Sequence, residues 1–160
     1  MVEQRVQIAR EVIGNTPYIT IATASKDGMP WNTPVFSAFD AQYNFFWASD
    51  RNAQHSKNIE ENRNVFLAIY DSTRPPGTNR GRGISIQAKV FILTEEKDIE
   101  EALHILSKRQ GEEPREGRAH EFLGNYPRRI YKAVPEKVWV NEHGDVDGNF
   151  IDIRVEIELF

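Results

Sequence analysis

The chain has 160 residues and a mass of 18.5 kDa, which suggests one domain burying roughly 69% of its unfolded surface. Its 39% hydrophobic and 28% charged residues, with mean hydropathy −0.57, argue against a membrane protein, and 11% aromatics argue against disorder. A net charge of −4 and a pI near 5.6 give no global basic field for nucleic acid, and the lack of cysteine removes disulfides, thiolate nucleophiles and cysteine-bound metals. No apolar run approaches the roughly 20 residues of a membrane span. The charges from Glu3 and Arg5 onward do not suit a signal peptide. The expectation is a soluble cytoplasmic protein with no membrane or nucleic-acid partner, in which any anion site is built locally.

Val6, Ile8, Ala9, Val12 and Ile13 recur at helical spacing before Gly14-Asn15, which predicts an amphipathic helix over about 2–13. Tyr18 to Thr23 is β-rich and ends at Lys26-Asp27-Gly28, a hairpin signal. Met29 to Phe39 reads as the return strand, Asp40-Ala41-Gln42 as a turn, and Tyr43 to Ala48 as a third, very aromatic strand. Asp50 to Asn64 is polar and helix-like, and Val65 to Tyr70 is a short apolar strand. The prolines and glycine of Asp71 to Asn79 exclude regular structure there. A long strand follows from Gly83 to Thr94, then an amphipathic helix over 98–110 and a charged link, Gly111 to Arg118. A short helical patch around Glu121-Phe122-Leu123 precedes two last strands, about 129–141 and 149–158, joined by His143 to Gly148. About seven strands in hairpin order predict a mainly β (α+β) fold, an antiparallel barrel closing on itself with peripheral helices, in a single domain over 1–160.

The stretch Trp47 to Ile59 is the most informative. A strand ends near Ala48, a cluster of capping residues follows, and a helix begins; helix N-termini offer unpaired N–H groups and partial positive charge to phosphate. Ser49 and Ser56 can donate hydroxyls, and His55 and Lys57 can supply charge. Spacing alone equally allows a surface helix merely capped by Ser49, Asp50 or Asn52, and this is the commoner case. The other candidates carry less. His55, His104, His120 and His143 never fall at a metal-binding spacing, so no metal is expected. Asp145-x-Asp147-Gly148 reads as a hairpin turn, and Arg80-Gly81-Arg82-Gly83 lacks the G-x-x-x-x-G-K pattern of a phosphate loop. No serine triad or G-x-S-x-G elbow is present. Trp31, Trp47 and Trp139 suit a core more often than a ligand platform, although a flat cofactor needs such walls.

The order of these pieces resembles a known family. The first helix, the Tyr18–Thr23 strand, the Asp-Gly hairpin, Pro30-Trp31-Asn32-Thr33-Pro34-Val35, and the aromatic strand before His55-Ser56-Lys57-Asn58-Ile59-x-x-Asn62 resemble the flavin-binding split barrel of the pyridoxamine 5'-phosphate oxidase-like superfamily, in its small general-stress-protein-like branch. The resemblance covers residues 5–95 well and the C-terminal strands more loosely. It implies FMN in a groove between the two barrels of a homodimer. Asn32, Thr33, Pro34, Val35, Phe36 and Ser37 would lie along the ribityl chain and ring. Ala48, Ser49, His55 and Ser56, with Lys57 as a further contact, would hold the phosphate.

Several positions depart from the family pattern. Where the oxidases carry an Arg-Lys pair, this chain has Gln54-His55, so charge must come from Lys57, Arg51 or a histidine protonated by the phosphate. The oxidases' ring-contacting glutamine matches Gly83, with Gln87 following. Trp139 and Arg154 match flavin neighbours, but Phe150 to Arg154 contains no Arg-x-His, which argues against vitamin B6 oxidation. The resemblance therefore implies an FMN-dependent, NAD(P)H-linked oxidoreductase on a small substrate, with no catalytic acid or base singled out. A non-catalytic flavin carrier or stress sensor, or a related barrel using F420 or haem, stands as the alternative. Phe36, Phe39, Phe45, Phe46, Trp47 and Phe66, crowded into early strands, add an expectation of apolar outer surface covered by a second copy.

Overall fold

The computed structural model describes residues 1–76, 78 and 82–159. Helix α1 (Val2–Asn15) buries Ala9, Val12 and Ile13 along one stripe, as the spacing predicts. Strands β1 (Tyr18–Ala24) and β2 (Pro30–Phe36) form the first hairpin. Residues 29–39 do not make one strand. The run breaks at Ser37, whose N–H donates to Pro17 O at 2.9 Å, and β3 (Ala38–Phe39) then pairs with β4 (Phe45–Asp50). Helix α2 (Gln54–Glu61), β5 (Asn64–Tyr70), β6 (Gly83–Ile92) and helix α3 (Glu96–Gln110) follow. After α3 come a 3-10 turn at Ala119–Phe122 and strands β7 (Arg128–Val146) and β8 (Asn149–Ile157). Arg80 and Gly81 of the glycine-arginine motif lie outside the described residues.

All pairings are antiparallel, in one eight-stranded sheet of order β2-β1-β5-β6-β7-β4-β3, with β8 also on β7. The architecture is that of a split barrel, and it corrects the sequence reading in one respect: the hydrogen-bonded path is open. No ladder joins β2 to β3 or β4, because the chain turns away at Ser37. The sheet nevertheless rolls around a single interior. Ile19 and Ile21 of β1, Val35 of β2, Leu67 of β5, Ile86 of β6 and Phe45 and Trp47 of β4 all meet in one buried cluster. Trp47 and Tyr131 stack there with centroids 5.4 Å apart. Burying each such side chain contributes about 1.5–3 kcal/mol, so this interior is the main source of stability.

The long strand β7 connects two parts of the sheet. Its first residues pair with β4 (Asp50↔Arg128 to Phe45↔Ala133), and from Val138 onward the same edge pairs with β8. Pro135, which has no N–H to donate, sits between the two ladders, opposite the irregularity at Gln87/Ala88. The strand also runs past residue 141 to Val146, so the expected loop at 143–148 shrinks to Asp147 and Gly148. Both adopt positive φ (52° and 77°), as a two-residue hairpin turn requires.

Helix α3 lies on the other side of β4 and β7. Ile99, Ala102 and Leu106 pack there against Phe46, Ile130 and Phe122 as a second buried cluster. Arg109 ties this helix to α1 by donating to Ile13 O at 3.0 Å and Gly14 O at 2.6 Å, the carbonyls that the end of a helix leaves open. The helix stops at Gly111 in the left-handed region, the expected terminator. No helix among the described residues is long and apolar enough to cross a membrane.

Candidate functional site

A cavity of about 390 Å³ opens between the end of the rolled sheet and α3. One wall is β2, through Thr33, Pro34, Val35 and Phe36; the floor holds Ala48 and Ser49 at the end of β4, and His55 in the first turn of α2. Leu103, Leu106, Ser107 and Gln110 of α3 form the opposite wall. Glu112, Arg118, Phe122 and Arg128 complete the lining. The size falls within the range of about 300–1,000 Å³ usual for small-molecule sites.

Because β2 ends the sheet, one of its backbone edges pairs with β1 and the other meets no strand. Pro30 and Pro34 are tolerated for the same reason. The unpaired edge of β2, from Asn32 to Phe36, can therefore bond a ligand rather than a neighbouring strand.

Helix α2 begins at the cavity, and the alternative that its start is simply capped does not hold. Its N-cap is Ala53, with no side-chain cap. Asp50 instead accepts from Asn52 N at 2.7 Å, and Ser49 is still in β4, bordering the cavity. Behind the helix, Gln54 Nε2 donates to Asn58 Oδ1 at 2.9 Å and Asn58 Nδ2 donates to Thr23 Oγ1 at 3.0 Å, which fixes α2 on β1. His55 is 6% exposed, and its Nε2 has no hydrogen-bond partner among the described residues. Burial lowers its pKa, so the ring is neutral near pH 7 without an anion beside it. Open backbone donors, a hydroxyl and a buried imidazole lacking a partner form a donor set suited to a phosphate.

The His55 shift predicts a pH dependence. A histidine pKa held below its unfolded value contributes stability above about pH 6.5, and that contribution is lost as pH falls through the folded pKa. Thermal melts of the ligand-free protein from about pH 7 to about pH 5 are expected to lose stability, and His55→Asn to flatten that slope. An unchanged slope in the variant would assign the loss to other groups.

The structure brings Thr33, Pro34, Val35, Phe36, Ala48, Ser49 and His55 together around one cavity. Asn32 and Ser37 flank that wall without lining it. Ser56 is fully buried, with its hydroxyl beside that of Tyr131 but outside full hydrogen-bonding geometry. Lys57 is exposed and does not line the cavity, because a residue two positions beyond His55 points away from it on a helix. Trp139 and Arg154 do not line it either. Trp139 stacks on Phe66 with centroids 6.1 Å apart, and the Arg154 guanidinium lies 6.0 Å from the centre of the Phe66 ring. These three belong to the outer face of β5 to β8, where Ala68, Gln87 and Glu156 are exposed. The residues of α3, Arg118 and Arg128 were not foreseen. Among the described residues, no group of three or more His, Asp or Glu could hold a metal ion.

An open, rolled antiparallel sheet with a cavity at its edge defines a split-barrel protein. A family profile described as pyridoxamine 5'-phosphate oxidase matches residues 7–141, and the chain belongs to that family. Among solved structures it is similar to Atu2129 of Agrobacterium tumefaciens str. C58, a protein of unknown function (TM-score 0.67, 15% identity, 86% of this chain). It covers only 56% of that longer protein. It is similar also to an F420 reductase (0.58, 20%, 81% of this chain and 94% of that one) and to HutZ, the haem storage protein of Vibrio cholerae (0.66, 15%, 87% and 94%). At such identities these likenesses show the fold alone. No curated protein matches the sequence significantly.

Proposed function

We propose that this chain is a cytoplasmic FMN-binding flavoprotein, an NAD(P)H-linked oxidoreductase acting on a small molecule from a site completed by a second copy. The observation that carries the flavin phosphate is the uncapped start of α2, where the buried His55 Nε2 has no partner among the described residues and lines the same cavity as Ser49. FMN supplies the electron-transfer chemistry when bound. The chain's own part is positional. Ser49, His55 and the α2 N–H groups take the phosphate, and the free edge of β2 offers backbone donors and acceptors to the polar rim of the ring. Leu103 and Leu106 add apolar lining to the cavity.

Trp139 and Arg154 support the homodimer, since one chain keeps them on a different face from the cavity. They meet a ligand in it only if a second copy presents its outer face there. The missing Arg-x-His run keeps vitamin B6 oxidation out of this reading.

The absorption spectrum of the protein as purified, and after loading with FMN, tests the cofactor. An F420 or haem spectrum, matching the groups for which two of the similar proteins are named, would replace FMN. Turnover of NADH or NADPH with a general electron acceptor is expected in the loaded protein. Its absence would leave a flavin carrier or sensor.

A further inference from the structure

We infer that Arg128 is the cationic clamp for the flavin phosphate, replacing the Arg-Lys pair that this chain lacks; the inference rests on the FMN reading above. The resemblance left Lys57, Arg51 and a protonated histidine as sources of positive charge, and the geometry removes the first two. Lys57 is exposed and outside the cavity. Arg51 turns to the carbonyl of Gly124, and Arg129, next to Arg128 in β7, donates to the carbonyls of Gly124 and Tyr126. Arg118 does line the cavity, but both its Nε and Nη2 are engaged by Glu121, at 3.0 and 2.7 Å, and its charge is met there.

Arg128 differs from all of these. It lines the same cavity as Ser49 and His55, and among the described residues it has no carboxylate within ion-pair distance. Its guanidinium lies 5.8 Å from the centre of the Phe122 ring, which also lines the cavity, so the planar group is held without using up its N–H donors. The ladder places Arg128 directly across from Asp50, the residue that leads into the α2 turn. Two carboxylates oppose a simple electrostatic attraction: Asp50 across the strand pair, and Glu112 in the lining. Asp50 already accepts from Asn52 N at 2.7 Å. A guanidinium offers two parallel N–H groups to phosphate oxygens, a geometry a lysine cannot reproduce.

The test compares FMN, riboflavin and inorganic phosphate binding to the full chain and to Arg128→Gln and Arg128→Lys, with thermal melts to verify folding. The wild type is expected to prefer FMN. Arg128→Gln should lose roughly ten- to a hundredfold in FMN affinity with riboflavin affinity unchanged. Arg128→Lys should recover part of that loss, and inorganic phosphate should compete with FMN only where residue 128 is basic. If the wild type prefers FMN and Arg128→Gln keeps that preference, the clamp is overturned while the flavin reading stands. If the wild type binds FMN and riboflavin equally, the phosphate reading fails and the clamp with it.

Discussion

Removing the phosphate from the flavin is expected to weaken binding by roughly two orders of magnitude or more. Charge-assisted hydrogen bonds contribute about 1.5–3 kcal/mol each, and the α2 start offers backbone donors with Ser49 and His55 beside them. Two such bonds already amount to about a hundredfold, at about 1.4 kcal/mol per factor of ten. His55→Ala should remove a large share of the preference for FMN over riboflavin, whereas Lys57→Ala should leave it intact, because Lys57 is exposed outside the cavity. Exposed substitutions of that kind shift stability by no more than about 0.5 kcal/mol, so the Lys57 variant is a clean control. Quenching of Trp31, Trp47 and Trp139 fluorescence can follow both titrations. Equal affinity for the two flavins would remove the phosphate from this site.

The second large effect concerns assembly. The protein is expected to be a homodimer that survives dilution into the nanomolar range, as interfaces above about 2,000 Å² commonly do. Of the six aromatics behind that expectation, Phe45, Phe46 and Trp47 are buried within one chain, two inside the sheet and one under α3. Phe66 instead lies on the outer face, stacked on Trp139. The outer face carrying Phe66, Trp139 and Arg154 leaves Ala68, Gln87 and Glu156 exposed, and the β7–β8 ladder continues from Asn141↔Arg154 to Val146↔Asn149 without β6. Such a two-stranded ribbon is marginal alone, and Val146 and Phe150 on it are exposed.

Complementation separates a shared site from a private one. His55→Ala and Trp139→Ala are each expected to bind FMN weakly. Refolded together, they should form mixed dimers with one intact site, restoring about a quarter of all sites. No restoration in a mixture that does form mixed dimers would place each site within a single chain.

Much of the fold was legible because alternation is a strong signal wherever one face of a strand is buried. Ile19, Ile21 and Thr23 in β1 and Val65, Leu67 and Ile69 in β5 all point inward as the period of two requires. The far half of β7 was not legible, since Gly144-Asp145 resembles a turn. Gly144 is instead a strand residue against which Ile151 packs; a Cβ there would lie 3.0 Å from Ile151 Cγ1. The break at Ser37 was hidden too, because its bond to Pro17 depends on a partner twenty residues away.

The site divides the same way. Thr33 to Phe36, Ala48, Ser49 and His55 come from one continuous stretch whose order carries the family likeness. Leu106, Gln110 and Arg128 reach the cavity only through the packing of α3 and the start of β7 on β4. In the sequence, Leu106 reads as an ordinary core position of an amphipathic helix. Arg128 sits in a charged run with nothing local to distinguish it from Arg129.

The most direct measurement is the crystal structure of the protein with FMN. The account predicts the phosphate at the start of α2, within hydrogen-bonding distance of Ser49 and His55, and the ring between β2 of one chain and the Trp139 face of the other. FMN held wholly by one chain, or with its phosphate away from α2, would contradict it.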